Sequence, residues 1–268
     1  MNSRRTGFAP YVRAVSSTHP APPHGLADAL PATRRLLAAP SPSARSLSYG
    51  GSLPALSPGW RSALRDELGL EVAYDENAVD PLSSRVFDVV YSRLRAEQVV
   101  LALSARTNLT LAGSTVRIVG DSSLATALTA LLRRLGASVV RSTDDPVERL
   151  TATLDGVRVE DVAAATSGST HSAILTGVGY DALGIDDVAG LVADASPRPA
   201  DASPAPSPRP FVRTTSKGSL VEMPSPLPVD GAAPTSAQRR ILDALIAALV
   251  VDGGPDDPRG VYARAVTP

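Results

Sequence analysis

The chain has 268 residues and a formal net charge of −1, which gives no electrostatic reason to expect nucleic acid or an anionic membrane as a partner. It contains no cysteine, so disulfides, thiolate metal sites and a cysteine nucleophile are excluded. Hydrophobic residues make up 43% of the sequence and aromatic residues only 4%, so the core has to consist mainly of Ala, Val and Leu. No apolar stretch has the length of a signal peptide or of a bilayer-spanning helix, and we expect a cytoplasmic protein.

The N-terminal region, residues 1–56, is rich in Pro, Ser and Ala and has little hydrophobic periodicity. We therefore predict a loosely ordered arm. His19 and His24 lie in this arm, but a metal site needs ligands that the fold holds in place, so we assign no metal. A firmer helix is predicted to follow, with Ser57 as its N-cap and Pro58 in its first turn.

Residues 57–195 alternate between strand-like and helix-like patterns. The alternation predicts a Rossmann-like α/β domain, in which a parallel sheet carries helices on both faces. Strands are predicted at 70–74, 114–120, 137–143 and 171–177, a short strand with a half-helix at 157–166, and helices at 81–107 (one helix or two), 123–136, 145–156 and 184–195.

The composition changes after this domain. A Pro/Ser/Ala linker is predicted over residues 196–210, because such a segment cannot bury a core. In the C-terminal segment, residues 211–268, Thr235 or Ser236 is predicted to cap a helix. The apolar face of this helix predicts that it packs back against the domain.

The stretch from residue 113 to residue 145 has the outline of a dinucleotide-binding strand–turn–helix–strand unit. Gly120, Ser122 and Ala125 hold the three positions that carry glycine in such units. Gly120 suits the tight turn and alanine is a common third residue, but the Ser122 β-carbon stands where a pyrophosphate would approach. The helix N-terminus still offers N–H groups to an anion. NAD is therefore a candidate cofactor whose motif is incomplete.

The ribose side of the motif is also altered. Thr143 holds the position, at the end of the second strand, where an acidic residue normally binds the ribose hydroxyls. Arg141 nearby is compatible with a phosphorylated ribose. The alternative, which we favour, is an arginine that faces water at a strand end.

The order and spacing of several short motifs resemble the NAD-binding half of the S-adenosylhomocysteine hydrolase (adenosylhomocysteinase) family. The resemblance covers about residues 70 to 190. The residues that carry it are Phe87-Asp88, Tyr91, Arg106-Thr107-Asn108, Ala112-Gly113, Gly120, Gly136-Ala137, Asp145-Pro146 and Gly156. NAD-dependent 2-hydroxyacid dehydrogenases share the fold and are the next family to consider.

The resemblance implies a cofactor site and an altered catalytic pair. In this family a bound NAD oxidises the ribose 3′-hydroxyl, and a lysine and an aspartate one helical turn apart serve the reaction. Asp88 matches the aspartate, whereas Ser84 replaces the lysine, and a serine hydroxyl cannot take over its proton transfer at neutral pH. Thr107 and Asn108 are carried over as cofactor-contacting residues.

Other expected parts of the family have no counterpart here. The C-terminal His-Pro motif is missing, and about seventy residues stand where the family has its large substrate domain. The Ser/Thr segment before His171, with Thr166, Ser167 and Thr170, could line a remnant of the nicotinamide pocket. An ordinary loop is the favoured interpretation of that segment.

These observations predict a pseudoenzyme of one-carbon metabolism that keeps the Rossmann fold and binds NAD or an adenosine-type ligand weakly. A scaffold or regulatory subunit that binds another protein is the alternative. An active NAD-dependent oxidoreductase or hydrolase of the same superfamily is a second alternative. A homo-oligomer or a complex with a partner protein is expected in each case.

Overall fold

A computed structural model describes residues 25–37, 45–166, 172–178, 184–199 and 209–267 of the chain. They fold into a Rossmann-like half, which is built on a sheet, and a second half in which N-terminal and C-terminal segments share a core. Within these residues, no helix combines the length and the apolar character needed to cross a membrane.

The regular elements follow one another in a mostly alternating order. The first half of the chain contains helices α1 (Leu26–Ala29) and α2 (Pro31–Leu36), strand β1 (Arg45–Tyr49), helix α3 (Pro58–Leu68), strand β2 (Leu70–Tyr74), helix α4 (Arg85–Thr107), strand β3 (Thr115–Val119) and helix α5 (Ser123–Arg134). The remainder contains strand β4 (Ser138–Ser142), helix α6 (Pro146–Leu154), strands β5 (Arg158–Glu160), β6 (Ser172–Leu175), β7 (Gly190–Asp194), β8 (Val212–Thr214) and β9 (Gly218–Val221), and helices α7 (Ser236–Val250) and α8 (Val261–Val266).

The main sheet has seven strands in the order β5-β4-β3-β6-β7-β9-β8. Neighbouring strands are parallel except for the edge strand β8, which is antiparallel to β9. The chain proceeds outward from β3 through β4 to β5 and then returns to the other side of β3 as β6. This reversal is the topological switch point at which α/β sheets bind ligands. The predicted Rossmann-like fold class is confirmed.

The two faces of the sheet are covered differently. Helices α4, α5 and α6 enclose one apolar cluster, which includes Ile118, Leu128 and Ile174. The other face lies under two short 3₁₀ helices, Val162–Thr166 and Ile185–Asp187. The helix predicted at 184–195 is therefore wrong: one 3₁₀ turn is followed by β7. Gly190, with φ 88°, starts the strand in a conformation that an α-helix does not contain.

A buried arginine fixes α4 against the sheet. Arg95 is fully buried and donates from Nε to the Ala195 carbonyl (3.1 Å) and from its two terminal nitrogens to the carbonyls of Ser196 (3.1 Å) and Pro224 (2.7 Å). Burial lowers the pKa of Arg95. These bonds hold the middle of α4 beside the residues that follow β7, which fixes the helix that borders the cleft.

The second half corrects the prediction of a loosely ordered arm. Within residues 1–56, the structure describes 25–37 and 45–56, and both segments contribute to a core with α7 and α8. Leu26, Tyr49 and Leu53 have no exposed surface, and β1 pairs in parallel with β2. The Pro-rich composition obscured this role, because widely spaced apolar residues complete a core that α7 cannot bury alone.

The C-terminal predictions are partly modified. Thr235 caps α7 in a capping box with Gln238, as the sequence indicated, and α7 packs against both α4 and the N-terminal helices. The ends of the predicted linker are structured: residues 196–199 follow β7, and Arg209 forms an isolated β-bridge with Val212. The central linker residues, 200–208, lie outside the described residues.

Candidate functional site

A cleft of about 650 Å³ opens at the carboxyl ends of the central strands. The turn after β3 and the segments after β6 and β7 form one wall, and the start of α4 with the loop after β1 forms the other. Its lining residues are Ser52, Asp80, Leu82, Ser83, Asp88, Tyr91, Ser92, Ser122, Ser123, Leu124, Thr176, Gly177, Val178, Ser196, Pro197 and Arg198. The cleft thus lies at the switch point between β3 and β6.

The turn between β3 and α5 contains two of the three residues of the predicted phosphate motif, Gly120 and Ser122. Gly120 has φ 109°, which favours glycine, and its amide donates to the Ser142 carbonyl (3.0 Å). Ser122 has φ −172°, an extended conformation open to any residue, and its hydroxyl accepts from the Ala125 amide (3.3 Å). The serine at the second glycine position therefore caps α5 and adds no backbone strain.

The beginning of α5 faces this cleft. Ser123 and Leu124 line it, and as first-turn residues their N–H groups have no acceptor within the helix. Ala125 is completely buried behind them, as close helix–strand packing requires. The Asp121 amide is occupied, since it donates to the Val178 carbonyl (3.0 Å). An anion in the cleft would meet the N–H groups of Ser123 and Leu124.

Tyr91 presents an unsatisfied donor to the same cleft. Its side chain lines the cleft although the residue is only 2% exposed, and its ring stacks on Phe87 with centroids 6.1 Å apart. Among the described residues its hydroxyl has no hydrogen-bond partner. Burial raises the pKa of Tyr91 to about 12, so the hydroxyl is a donor at neutral pH. Sequence reasoning named Tyr91 only as part of the family motif, because burial and a missing partner have no sequence signal.

Asp88 and Ser84 lie one helical turn apart at the start of α4. Asp88 lines the cleft and accepts from the Ser92 hydroxyl (3.2 Å). Ser84 is the N-cap of α4, where its hydroxyl accepts from the Phe87 amide (3.1 Å). The sole lysine of the chain, Lys217, lies at the opposite edge of the sheet, where its carbonyl accepts from the amide that starts β7. Within the described residues, no lysine can therefore assist Asp88.

Arg141 lies in β4, Thr143 follows the strand directly, and both side chains are buried. Thr143 is buried, and its hydroxyl accepts from the Asp145 amide (3.1 Å). Arg141 is buried as well and donates to Glu148 (2.9 Å) and to the Gly120 carbonyl (3.3 Å). The interpretation of Arg141 as a water-facing side chain is wrong, because its guanidinium supports the phosphate turn from behind.

Two predicted cofactor contacts lie far from the cleft. Thr107 is 19 residues after Asp88 on α4, which at 1.5 Å per residue is about 29 Å along the helix. Its hydroxyl donates to the Leu103 carbonyl (2.6 Å), and Asn108 ends the helix with φ 55°. The structure does not bring these two residues to Gly120 and Ser122, because α4 is a single uninterrupted helix.

Thr166 donates to the Ala163 carbonyl (2.8 Å) at the end of a 3₁₀ helix. Ser167, Thr170 and the three histidines lie outside the described residues. In the part of the chain that is described, His, Asp and Glu form no group of three that could hold a metal ion.

No protein-family model and no curated protein matches the chain. Among solved structures, it is similar to a dipicolinate synthase subunit from Bacillus halodurans, with 16% identity and a TM-score of 0.43 over 77% of this chain and 66% of that chain. It is also similar to a dipicolinate synthase from Bacillus subtilis, with 15% identity and a TM-score of 0.43 over 87% of this chain and 70% of that chain. A transhydrogenase from Sinorhizobium meliloti has 15% identity and a TM-score of 0.42 over 74% of this chain and 60% of that chain. The chain thus spans about two thirds of the length of the Bacillus halodurans protein.

Proposed function

We propose that the chain binds an NAD-type dinucleotide in the cleft after β3 and does not cleave S-adenosylhomocysteine. The proposal rests on two groups of hydrogen-bond donors that belong to the lining of one cleft at the switch point. One is the N-terminus of α5, and the other is the buried, unpartnered hydroxyl of Tyr91. The sequence resemblance to the cofactor half of the adenosylhomocysteinase family agrees with this ligand class.

The residues present fit such a ligand. The Gly120 turn and the N–H groups of Ser123 and Leu124 form the arrangement that binds a pyrophosphate at a helix N-terminus. The Tyr91 hydroxyl would donate to an oxygen of the ligand farther along the cleft. When bound, the dinucleotide would supply hydride-transfer chemistry.

Loss of the hydrolase reaction follows from the other end of the cleft. Ser84 caps α4, and among the described residues the hydrogen-bond partner of the Asp88 carboxylate is the Ser92 hydroxyl. Without a lysine at Ser84, Asp88 has no cation one helical turn away to assist proton transfer. We therefore propose that the cleft binds a dinucleotide but does not support turnover of S-adenosylhomocysteine.

A matched pair of tyrosine variants tests the proposed site. Tyr91→Phe removes only the unpartnered hydroxyl and should weaken NADH binding by about 2- to 10-fold, the effect of one hydrogen bond. Tyr262→Phe is the control, because that buried hydroxyl bonds to the Ala244 carbonyl (3.2 Å) in the second half. NADH fluorescence titration gives the affinities. Absence of saturable binding to the wild-type protein, or equal weakening by both variants, would overturn the proposal.

Turnover is tested on the same preparations. Wild-type protein incubated with S-adenosylhomocysteine and NAD should form no adenosine or homocysteine, as measured by chromatography. Adenosine formation that a Ser84→Ala, Asp88→Ala double variant abolishes would show that the chain is a hydrolase.

A second observation favours self-association through α4. Its outer face carries Val89, Arg93, Glu97 and Leu101 at four-residue spacing, and Val89 and Leu101 are 50% and 68% exposed. We propose that a second copy of the chain covers this face. Within its own chain Glu97 pairs with Arg240 (3.1 Å). In an antiparallel α4 pair with its two-fold axis near residue 95, Arg93 would also face Glu97 of the other copy, and Val89 would face Leu101. The sequence of the stripe is thus complementary to itself.

Charge-swap variants test this interface. Arg93→Glu alone should weaken the dimer, and combining it with Glu97→Arg should restore it, as measured by sedimentation equilibrium. Leu101→Ser should also weaken the dimer. Val147→Ser is its control, since Val147 is equally exposed on α6, away from the stripe. A wild-type protein that stays monomeric at all concentrations would overturn the interface.

A further inference from the structure

The end of β4 offers no free carboxylate to a ribose. Thr143 occupies the expected acidic position and is buried. The next residue, Asp144, accepts from the Val162 amide (3.0 Å) and so caps the 3₁₀ helix on the far face of the sheet. Asp145 accepts from the amides of Val147 and Glu148, which start α6. The acids that follow β4 therefore have local structural partners.

The turn after β3 supplies a carboxylate at the same edge. Asp121 follows Gly120 directly, and its backbone is held by the bond to Val178. The Gly120 amide donates to the Ser142 carbonyl (3.0 Å), which places Asp121, the next residue, beside the end of β4. Among the described residues, Asp121 Oδ1 is buried and has no hydrogen-bond partner. A buried acceptor without a donor is rare in folded proteins and calls for a physical explanation.

We propose that Asp121 is the ribose-binding acid of this site and that it selects the unphosphorylated adenosine ribose, hence NAD rather than NADP. This inference rests on the proposed dinucleotide function. A ribose hydroxyl is the kind of donor that Asp121 Oδ1 lacks. The carboxylate reaches the ribose position from the phosphate turn, whereas the usual acid comes from the end of the second strand.

The surrounding charges disfavour a 2′-phosphate. Burial raises the pKa of Asp121, and the nearby carboxylates of Asp145 and Glu148 raise it further. Arg141 is the cation that acts on Asp121, but one of its terminal nitrogens is bonded to Glu148 and to the Gly120 carbonyl, and its Nε is buried. A 2′-phosphate would therefore meet the carboxylates of Asp121, Asp145 and Glu148 and an arginine that is already paired with one of them.

The test compares the affinities of NADH and NADPH for each variant. Wild-type protein should bind NADH more tightly, and Asp121→Asn should reduce the ratio of the two affinities by about tenfold, because it removes a charge-assisted acceptor and a repulsive charge. Asp144→Asn is the matched control, since it removes the same charge one residue after Thr143 at a side chain that caps a helix. Its ratio should stay within about twofold of wild type, because that side chain is occupied.

The possible outcomes separate the inference from the proposed function. If the wild-type protein binds neither dinucleotide, the proposed function fails. If it binds NADH and Asp121→Asn leaves the ratio unchanged, or if it prefers NADPH, the inference about Asp121 is wrong while dinucleotide binding stands. Both affinities are measured on the same preparation, so a lower folded fraction affects both equally and leaves their ratio unchanged. Asp121→Ser, with ADP-ribose and its 2′-phosphate as competing probes, gives the same comparison without the nicotinamide.

Discussion

Buried polar groups in the interior of the second half differ from those at the carboxyl edge of the sheet. In the second half, Asp243 accepts from the amides of Ala32 and Thr33 and from the Thr33 hydroxyl, and the Tyr262 hydroxyl has its carbonyl partner. Where this core borders the cleft at the carboxyl edge of the sheet, by contrast, Tyr91 Oη and the nearby Asp121 Oδ1 are buried without partners among the described residues.

This contrast distinguishes a structural core from a ligand site. Folded proteins satisfy nearly all of their buried polar atoms, so the two exceptions at the carboxyl edge of the sheet require a reason. A ligand with phosphate and hydroxyl groups would provide the missing partners here. In the second half every polar contact cited above is already complete, and we expect it to stabilise the fold without binding the dinucleotide.

The largest expected effect is the loss of stability when Asp243, in the interior of the second half, is replaced. Asp243→Ala leaves the buried amides of Ala32 and Thr33 without their acceptor and leaves the Thr33 hydroxyl only the backbone carbonyl of residue 243 (3.3 Å). It should lower the free energy of unfolding by about 3 kcal/mol. Asp243→Asn keeps one acceptor oxygen and should cost less. Urea denaturation measures both. A loss below about 1 kcal/mol for the alanine variant would contradict the view that this half depends on complete polar pairing.

The two tyrosines should differ in stability as well as in binding. Tyr262→Phe removes a satisfied hydroxyl and should lower the free energy of unfolding by about 1 kcal/mol. Tyr91→Phe removes an unsatisfied one, so the ligand-free protein should be equally stable or more stable. Thermal denaturation in the absence of dinucleotide compares them. Equal destabilisation by both variants would remove the distinction between the interior of the second half and the cleft edge.

Replacing Asp121 is also expected to stabilise the ligand-free protein. Burial raises the pKa of this carboxyl in the folded state, so its ionised form is disfavoured by folding. Asp121→Asn should therefore make the ligand-free protein more stable at neutral pH. The gain should shrink as the pH falls through the raised pKa, where the wild-type carboxyl takes up its proton. A pH-independent difference in urea denaturation midpoints would contradict this assignment.

The smallest effect is expected at the far end of α4. Asn108 has φ 55°, a conformation that glycine adopts without strain, so Asn108→Gly should change the free energy of unfolding by less than about 1 kcal/mol. Combined with Thr107→Ala, it should leave the NADH affinity within about twofold of wild type, since neither side chain reaches the cleft. A large loss of affinity would restore the cofactor role predicted from the family motif.

Much of the fold was predictable because its determinants are local. The strands and helices from 115 to 160 follow hydrophobic periodicity, Gly120 marks the turn, and the Asp145-Pro146 pair marks the start of α6. The segment at 184–195 was mispredicted because a short apolar strand and a helical turn share a pattern, and tertiary pairing with β6 and β9 selected the strand.

The site was less predictable because its features depend on distant pairing. The sequence indicated Gly120, Ser122 and Asp88, but the Ser122 conformation and the single long α4 decide which residues meet. No local pattern shows that Arg141 is tied to Glu148 or that Tyr91 lacks a partner. The sequence pattern does not indicate Asp121 as a ribose acid, because in dinucleotide-binding units that acid normally follows the second strand.

Hydrogen–deuterium exchange with and without NADH tests the central claim most directly. Dinucleotide binding should slow exchange in peptides covering 119–126, which include the N–H groups at the start of α5, and should leave peptides covering 236–250 in α7 unchanged. Unchanged exchange at the turn, or protection confined to α7, would contradict a dinucleotide site at the unsatisfied edge of the sheet.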